Sequence, residues 1–193
     1  MNKTLTSLLL GAALAAPAYA VPFIGPGSPG ALTTSATGNL SLGAGGGSVA
    51  ATAATLVLVG GDAEPNGCTG SSYSVLGPCR IQAVYAAPGR YTFNWTYTTA
   101  DGAGPAGDMF GVLVDGVAFT LSDLGGAMTQ GGSSAPYMAT TSFGWFLNCT
   151  DCTGGGATAT ITALAVPEPA AWALMLAGGC AVAGRAWRRK LAA

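Results

Sequence analysis

The chain has 193 residues, of which 8% are charged and 31 are glycine, and it contains no histidine. Between Val21 and Val166, two basic residues stand against seven acidic ones, so this part carries a net charge of about −5. This charge excludes nucleic acid as a partner, because binding to phosphates requires clustered Lys and Arg. The missing histidine excludes Ser-His-Asp and Cys-His catalysis, and the lack of lysine between Val21 and Val166 excludes Schiff-base chemistry there.

The N-terminus has the pattern of a secretory signal peptide. A lysine near the start precedes a short apolar stretch, and Ala18 and Ala20 supply the small residues of an A-x-A cleavage site. The apolar stretch is too short to span a bilayer. Pro17 and the change of composition after Ala20 argue against a buried helix. We therefore predict a signal peptide over 1–20 and a mature chain that begins at Val21.

Export has a consequence for the cysteines. Four of the five cysteines lie between Val21 and Val166, an even number that favours disulfides in an oxidising compartment. Cys68 and Cys79 bracket a Gly/Ser/Pro-rich loop, and Cys149 and Cys152 form a C-x-x-C. We expect these two local pairs among three possible connectivities. A zinc site and a redox role are the alternatives, but the first spacing is wide for zinc, and the C-x-x-C lacks a helix start and basic neighbours.

Alternating polar and apolar residues predict β-strands in the middle of the chain. The four aromatic residues of "YTFNWTY", from Tyr91 to Tyr97, share one parity, so a period of two directs them to one face, toward a core. A sugar-stacking platform is the alternative interpretation of this row. In "FGVLVDGVAFTLSD", Asp115 and Gly116 separate two β-rich runs, which is the signal of a hairpin.

The remaining turns and strands predict the fold class. The opening over 25–48 is rich in Thr, Ser and Gly, and we expect it to hold one or two weak strands or to be loosely ordered. The predicted fold is all-β, a small antiparallel β-sandwich of about eight strands over 21–165. It is flanked by the signal peptide and by a single C-terminal transmembrane helix. Further strands are predicted at 55–59, 80–85, 141–147 and 157–164.

Asp101 and Asp108 are the carboxylates that glycosidase chemistry or a calcium site would use. Both lie in the Gly-rich loop "TADGAGPAGDMFG", where Asp next to Gly typically forms turns through its own backbone. The D-x-D-x-D-G spacing of a calcium loop is missing. We expect no catalytic residue, no bound metal and no cofactor.

The C-terminal tail, 166–193, begins with a stiff connector. Each proline of Val166-Pro167-Glu168-Pro169 fixes φ and restricts the residue before it to extended geometry. The uncharged run 170–184 follows. As a helix this run would be about 22 Å long, against a hydrocarbon core of about 30 Å.

Four cations close the tail and would keep its end in the cytoplasm by the positive-inside rule. Tryptophans at the two interfaces and snorkelling arginines would extend the reach of the apolar run. We therefore predict a transmembrane helix over about 170–187, which anchors a precursor in the inner membrane. The four cations are Arg185, Arg188, Arg189 and Lys190.

These three parts, in this order, resemble the PEP-CTERM sorting tail of Gram-negative bacteria. "VPEPAAWALMLAGG" is similar to the PEP-x-x-W-A variant, with Pro167, Glu168 and Pro169 followed by Trp172 and Ala173. The resemblance implies recognition by exosortase, a membrane transpeptidase thought to cut near the tripeptide and to release or transfer the protein. It also implies a link to extracellular polysaccharide. Some bacterial ice-binding proteins carry the same tail, and the middle of the chain resembles exported β-sandwich domains without assigned activity.

The residues and the resemblance together predict a non-enzymatic envelope or extracellular-matrix protein. It would be exported, held in the inner membrane as a precursor, processed by an exosortase, and then found at the cell surface or outside the cell. The alternative hypothesis is a surface module that binds carbohydrate or ice.

Overall fold

The computed structural model describes residues 20–38, 40–43, 46–62, 68, 79–150 and 152–166. All of these lie within one compact unit, Tyr19–Glu168. They form eleven β-strands and one short 3-10 turn, Gly104–Ala106. The strands are β1 Leu32–Thr37, β2 Ser48–Ala51, β3 Thr55–Val59, β4 Arg80–Tyr85, β5 Gly89–Thr98, β6 Asp108–Val114, β7 Val117–Thr120, β8 Thr129–Ser133, β9 Tyr137–Ala139, β10 Phe143–Cys149 and β11 Thr158–Ala165.

Within the described residues, no helix has the length and hydropathy needed to cross a membrane. The predicted helix over 170–187 lies outside the described residues, as does most of the predicted signal peptide.

The all-β prediction is confirmed, and several strands begin and end where the sequence pattern predicts. β3 and β4 coincide with the predicted strands at 55–59 and 80–85. Along β5, the side chains of Tyr91, Phe93 and Tyr97 are buried and their neighbours are more exposed, as a period of two requires. β10 begins two residues later than predicted because Thr141 donates its backbone N–H to a turn carboxylate rather than to a neighbouring strand.

The strands form two antiparallel sheets. The first has the order β1-β4-β10-β6-β7, and the second has the order β2-β3-β11-β5-β8. β9 pairs with the start of β5, so β8 and β9 are successive parts of one interrupted edge. Between them, the N–H of Ser134 donates to the Phe93 carbonyl at 2.8 Å, and the N–H of Phe93 donates to the Ser134 hydroxyl at 3.0 Å. The prediction of about eight strands is too low because it misses short strands such as β2, β8 and β9.

One aromatic core lies between the sheets. The ring of Trp145, in the first sheet, is fully buried and meets the ring of Phe93, in the second sheet, at a centroid distance of 5.4 Å. The rings of Phe23, Tyr85 and Phe143 surround Trp145 at centroid distances of 5.1–6.0 Å. All four pairs are tilted or edge-to-face, and edge-to-face packing is one of the arrangements that aromatic rings prefer.

The strand ends define two poles of this domain. β11 begins at one pole and ends at the other. The tail pole comprises 20–22, the β2–β3 turn 52–54, Gly89, the β6–β7 turn 115–116, 140–142 and 163–166. The disulfide pole comprises 99–108, the four cysteines Cys68, Cys79, Cys149 and Cys152, and the start of β11.

Candidate functional site

At the tail pole, the two segments that leave the domain lie side by side. Ala20, the last residue of the predicted signal peptide, pairs with Ala165 at the end of β11. The N–H of Val21 donates to the Leu164 carbonyl at 2.6 Å, and the N–H of Phe23 donates to the Ala53 carbonyl at 3.1 Å. The predicted start of the mature chain therefore adjoins the place where the tail begins.

The end of β11 is irregular, but its backbone stays paired with β5. Its register with β5 shifts between Thr162 and Ala165, and Ala163 has a φ of 50°, in the left-handed region that non-glycine residues seldom adopt. Pairing resumes at Ala165, which lies opposite Thr92. Val166 is half-buried and packs against the aromatic core. The domain therefore holds the chain up to the residue before Pro167.

A cavity of about 430 Å³ opens beside the end of β11. Its walls are the segment 20–22, Ala53 and Ala54 of the β2–β3 turn, and Ala163 and Leu164 of β11. All of these side chains are apolar and most are small. The lining of this open pocket is therefore apolar and includes no charged side chain.

The carboxylate of Asp115 fastens the neighbouring loop of the tail pole. Asp115 and Gly116 have φ values of 51° and 82°, which confirms the predicted two-residue hairpin turn. Asp115 Oδ1 accepts the N–H of Thr141 at 2.7 Å and of Ser142 at 3.0 Å, and the Thr140 hydroxyl donates to Oδ2 at 2.8 Å. Hydrogen bonds from the backbone of Ser142, Thr140 and Thr141 hold the pKa of Asp115 well below its usual value.

At the disulfide pole, two disulfide bonds hold the loops together. Cys68 is bonded to Cys79 and Cys149 to Cys152, which are the local pairs that the sequence analysis favoured. The sulfur atoms of Cys68, Cys79 and Cys152 lie within 4.8 Å of one another. Among the described residues this is the one group of three or more potential metal ligands at such distances. Because its sulfurs form disulfides, the cluster serves here to close loops.

Asp101 and Asp108 are both buried at the disulfide pole, where they accept hydrogen bonds from the surrounding chain. Asp101 Oδ1 accepts the N–H of Ala103 at 2.6 Å, a turn of the kind that Asp forms beside Gly. Asp108 Oδ2 accepts the hydroxyl of Thr99 at 2.6 Å. Both carboxylates therefore act in stabilising the 99–108 loop.

The aromatic row of β5 faces the core and not the solvent. Tyr91, Phe93 and Tyr97 are at most 2% exposed. Trp95 is half-buried and lies against Phe110, at a centroid distance of 5.4 Å. The row therefore packs between the sheets, as the alternation of the sequence predicts.

Most of the sorting residues predicted from the sequence lie outside the described residues. Val166 and Ala20 are described, and the structure places both at the tail pole. The others are Ala18, Pro167, Glu168, Pro169, Trp172, Ala173, Arg185, Arg188, Arg189 and Lys190.

Residues 165–190 match the family model of the PEP-CTERM protein-sorting motif. The chain carries a PEP-CTERM sorting motif. This motif implies exosortase-dependent sorting. Its first two residues, Ala165 and Val166, belong to the folded domain. The PEP-CTERM motif therefore starts at the tail pole without an intervening linker.

Comparison with solved structures matches this chain to the N-terminal cellulose-binding domain of β-1,4-glucanase C from Cellulomonas fimi, among others. The similarity covers 80% of this chain and 97% of that one, at 14% identity and a TM-score of 0.30. No curated protein matches the chain.

Sequence reasoning missed two features of the tail pole. The pairing of Ala20 with Ala165 joins residues far apart along the chain, and no local pattern signals it. Asp115 was predicted only as a turn residue, whereas its carboxylate also binds the loop 140–142, some 25 residues away. An Asp at the first position of a hairpin turn was the available signal, but it does not identify the partner.

Proposed function

We propose that this protein is a non-enzymatic exported envelope or extracellular-matrix protein that an exosortase sorts and processes near Pro167-Glu168-Pro169. The observation that carries this proposal is the PEP-CTERM motif over 165–190, directly after the last strand of a folded domain. Before processing, a helix over about 170–187 anchors the precursor in the inner membrane. The cations from Arg185 to Lys190 keep its end in the cytoplasm. After processing, the domain resides at the cell surface or outside the cell, in association with extracellular polysaccharide.

The chemistry of the domain supports a role without catalysis. There is no histidine in the chain and no lysine between Val21 and Val166. Asp101 and Asp108, the carboxylates considered for hydrolysis, are 5% and 2% exposed and accept hydrogen bonds from their own loop. A general acid or base must reach its substrate, so the burial of these carboxylates supports a role in the loop rather than in catalysis.

Two changes in the tail test the proposal, each followed by immunoblot in a cell that contains an exosortase. Glu168→Ala removes the only charge of the tripeptide, and deletion of 185–190 removes the cytoplasmic cations. Both should leave unprocessed or misplaced precursor. Glu64→Ala is the matched control, since Glu64 is the only other glutamate of the chain. Normal processing of both tail variants would refute the proposal.

The alternative, a carbohydrate-binding module, needs an aromatic ring at the surface. Phe119 on the edge strand β7 is 47% exposed and is the most exposed aromatic side chain of the described residues. Glycan binding that is lost in Phe119→Ala but kept in Val117→Ala, on the same edge strand, would favour this alternative. Thermal hysteresis of ice growth would favour its ice-binding form.

A further inference from the structure

We propose that the outward face of β1 and β4 is a binding site for acidic sugar residues of an extracellular polysaccharide. The guanidinium of Arg80 would hold the sugar carboxylate, and the neighbouring Ser35 and Gln82 would hold sugar hydroxyls. This inference rests on the proposed function, which brings the domain into contact with extracellular polysaccharide. The chemical class of the ligand follows from the charges and hydrogen-bonding groups of this face.

Strand alternation places these three side chains on one face of the first sheet. Along β4, Ile81 and Ala83 are fully buried in the core, so the alternate residues Arg80 and Gln82 face outward. The backbone register sets Ser35 of β1 directly beside Gln82. Ser35, Arg80 and Gln82 are half-buried, and each keeps part of its surface exposed to a ligand at this face.

The Arg80 side chain is restrained by an aromatic ring. Phe146 of β10 lies opposite Gln82, and the guanidinium carbon of Arg80 lies 4.7 Å from the centre of its ring. A cation over the face of an aromatic ring is attracted by the ring electrons. The guanidinium is therefore held in place before a ligand arrives, which lowers the entropy that binding costs.

Arg80 is a charged group without a counter-charge among the described residues. Its Nε atom is buried and makes no hydrogen bond with any of them. Burial lowers the pKa of Arg80, and no described carboxylate counteracts this effect. A partly buried charge that has lost water without gaining a partner is unfavourable. Since a carboxylate can accept two N–H groups of one guanidinium at once, a ligand with a carboxylate would complete this site.

The groups beside Arg80 favour a sugar as the carrier of that carboxylate. The Gln82 amide donates to the Ser35 hydroxyl at 3.1 Å, which leaves the Ser35 O–H as a donor and the Gln82 side-chain oxygen as an acceptor. Sugar hydroxyls match both groups. Nucleic acids and anionic lipids instead attract several cations together, and the only other basic residue between Val21 and Val166 is Arg90, which lies on the second sheet.

The negative charge of the domain restricts the ligand further. The net charge of about −5 between Val21 and Val166 repels a densely charged polyanion. This repulsion is screened beyond about 8 Å at physiological ionic strength, whereas the contact with Arg80 is short. The expected ligand is therefore a polysaccharide in which neutral sugars separate the acidic ones. Charge and hydrogen bonds hold such a sugar, so this site needs no exposed aromatic ring.

A glycan array tests the site with the full-length chain in mild detergent. The array carries uronate-containing glycans, each with its carboxyl-reduced counterpart. We expect binding to uronate glycans with neutral spacer sugars and much weaker binding to the reduced counterparts. Titration calorimetry with the best-bound oligosaccharide then compares variants. Arg80→Gln should bind about tenfold more weakly, because it removes the charge-assisted hydrogen bonds. Arg90→Gln is the matched control, since it removes the other positive charge of the domain, and it should bind like the wild type.

Two further variants separate the contact with the ligand from the stability of the fold. Arg80→Lys keeps the charge without the planar fork, so its affinity should lie between those of Arg80→Gln and the wild type. Ser35→Ala leaves Arg80 in place and should weaken binding about threefold. Retention of both disulfides, mapped by mass spectrometry of non-reduced peptides, establishes that a variant folds. If Arg80→Gln does not fold, equal affinities of Arg80→Lys and the wild type would overturn the inference.

The other outcomes are also decisive. The inference is wrong if no uronate glycan binds, if Arg80→Gln binds like the wild type, or if Arg90→Gln loses as much affinity. Binding to phosphatidylglycerol vesicles that requires Arg80, without binding to glycans, would assign the site to phosphate and exclude a sugar.

Processing of the tail is a separate readout. If uronate binding fails while Glu168→Ala remains unprocessed, this inference fails and the proposed sorting stands. If Glu168→Ala is processed normally while uronate binding requires Arg80, the proposed sorting fails and the sugar site stands.

Discussion

Replacing Tyr85 with phenylalanine should loosen the N-terminal segment of the domain. The Tyr85 hydroxyl donates to the Phe23 carbonyl at 2.6 Å, and both residues are fully buried. Burial also raises the pKa of Tyr85 far above its usual value, so the hydroxyl remains a donor at any physiological pH. Tyr85→Phe keeps the ring beside Trp145 but leaves the Phe23 carbonyl without this donor.

The expected loss of stability follows from the fate of that carbonyl. A buried acceptor that loses its donor costs about 1–3 kcal/mol, so we expect the free energy of unfolding to fall by about 2 kcal/mol. In a domain of this size, each kcal/mol shifts Tm by about 2–4 °C. The melting temperature of Tyr85→Phe should therefore fall by about 4–8 °C. Thermal and urea unfolding of the purified protein measure both quantities.

Hydrogen exchange locates the effect. The amides of Val21 and Phe23 should lose protection in Tyr85→Phe, since the segment that they anchor is tied to the first sheet through Phe23. Tyr137→Phe is the matched control, because Tyr137 is half-buried and no described residue hydrogen-bonds its hydroxyl. Equal melting temperatures for the two variants, or unchanged protection at Val21, would show the reasoning to be wrong.

Three further predictions concern the turn carboxylate, the disulfides and a crowded glycine. The folded pKa of Asp115 lies below its unfolded value. Its contribution to the stability of the fold is therefore complete above about pH 4 and is lost as the pH falls toward the folded pKa. The Tm of Asp115→Asn should fall less between pH 5 and pH 2 than the Tm of the wild type. Cys68→Ser with Cys79→Ser should lower the free energy of unfolding by about 3 kcal/mol in urea titrations, because it opens a short closed loop. Gly111→Ala should cost about 1–3 kcal/mol in the same assay, since the added Cβ would lie 2.7 Å from a ring atom of Phe146; an unchanged urea midpoint would contradict either of the last two.

The sequence predicted what depends on neighbours along the chain. The aromatic face of β5 follows from a period of two, β3 and β4 follow from β-rich runs separated by turns, and the Asp115-Gly116 turn follows from the φ values that a two-residue hairpin demands. The favoured cysteine pairs are 11 and 3 residues apart, so local spacing indicated them. The sorting motif was recognisable because it is a short linear segment that needs no fold to identify it.

The sequence did not predict what depends on pairing at a distance. Short edge strands such as β8 and β9 carry weak patterns, and they exist because β5 offers them a free edge. The cavity of the tail pole depends on the pairing of Ala20 with Ala165, two residues that nearly the whole length of the domain separates along the chain. Small residues such as Ala53 and Ala54 carry no chemical signature, so only their position marks them.

The two poles of the domain are held by different chemistry, and this separates redox state from sorting. Disulfides close the pole at Cys79 and Cys149, whereas hydrogen bonds to Asp115 and between Val21 and Leu164 hold the tail pole. Reduction acts on the first pole and acid on the second. Because the PEP-CTERM motif begins at the tail pole, a precursor that is reduced but still folded should present the motif in the same surroundings as the oxidised one. Processing of Cys68→Ser with Cys79→Ser at the wild-type rate is the expected result, and slower processing than in the wild type would mean that the two poles are coupled.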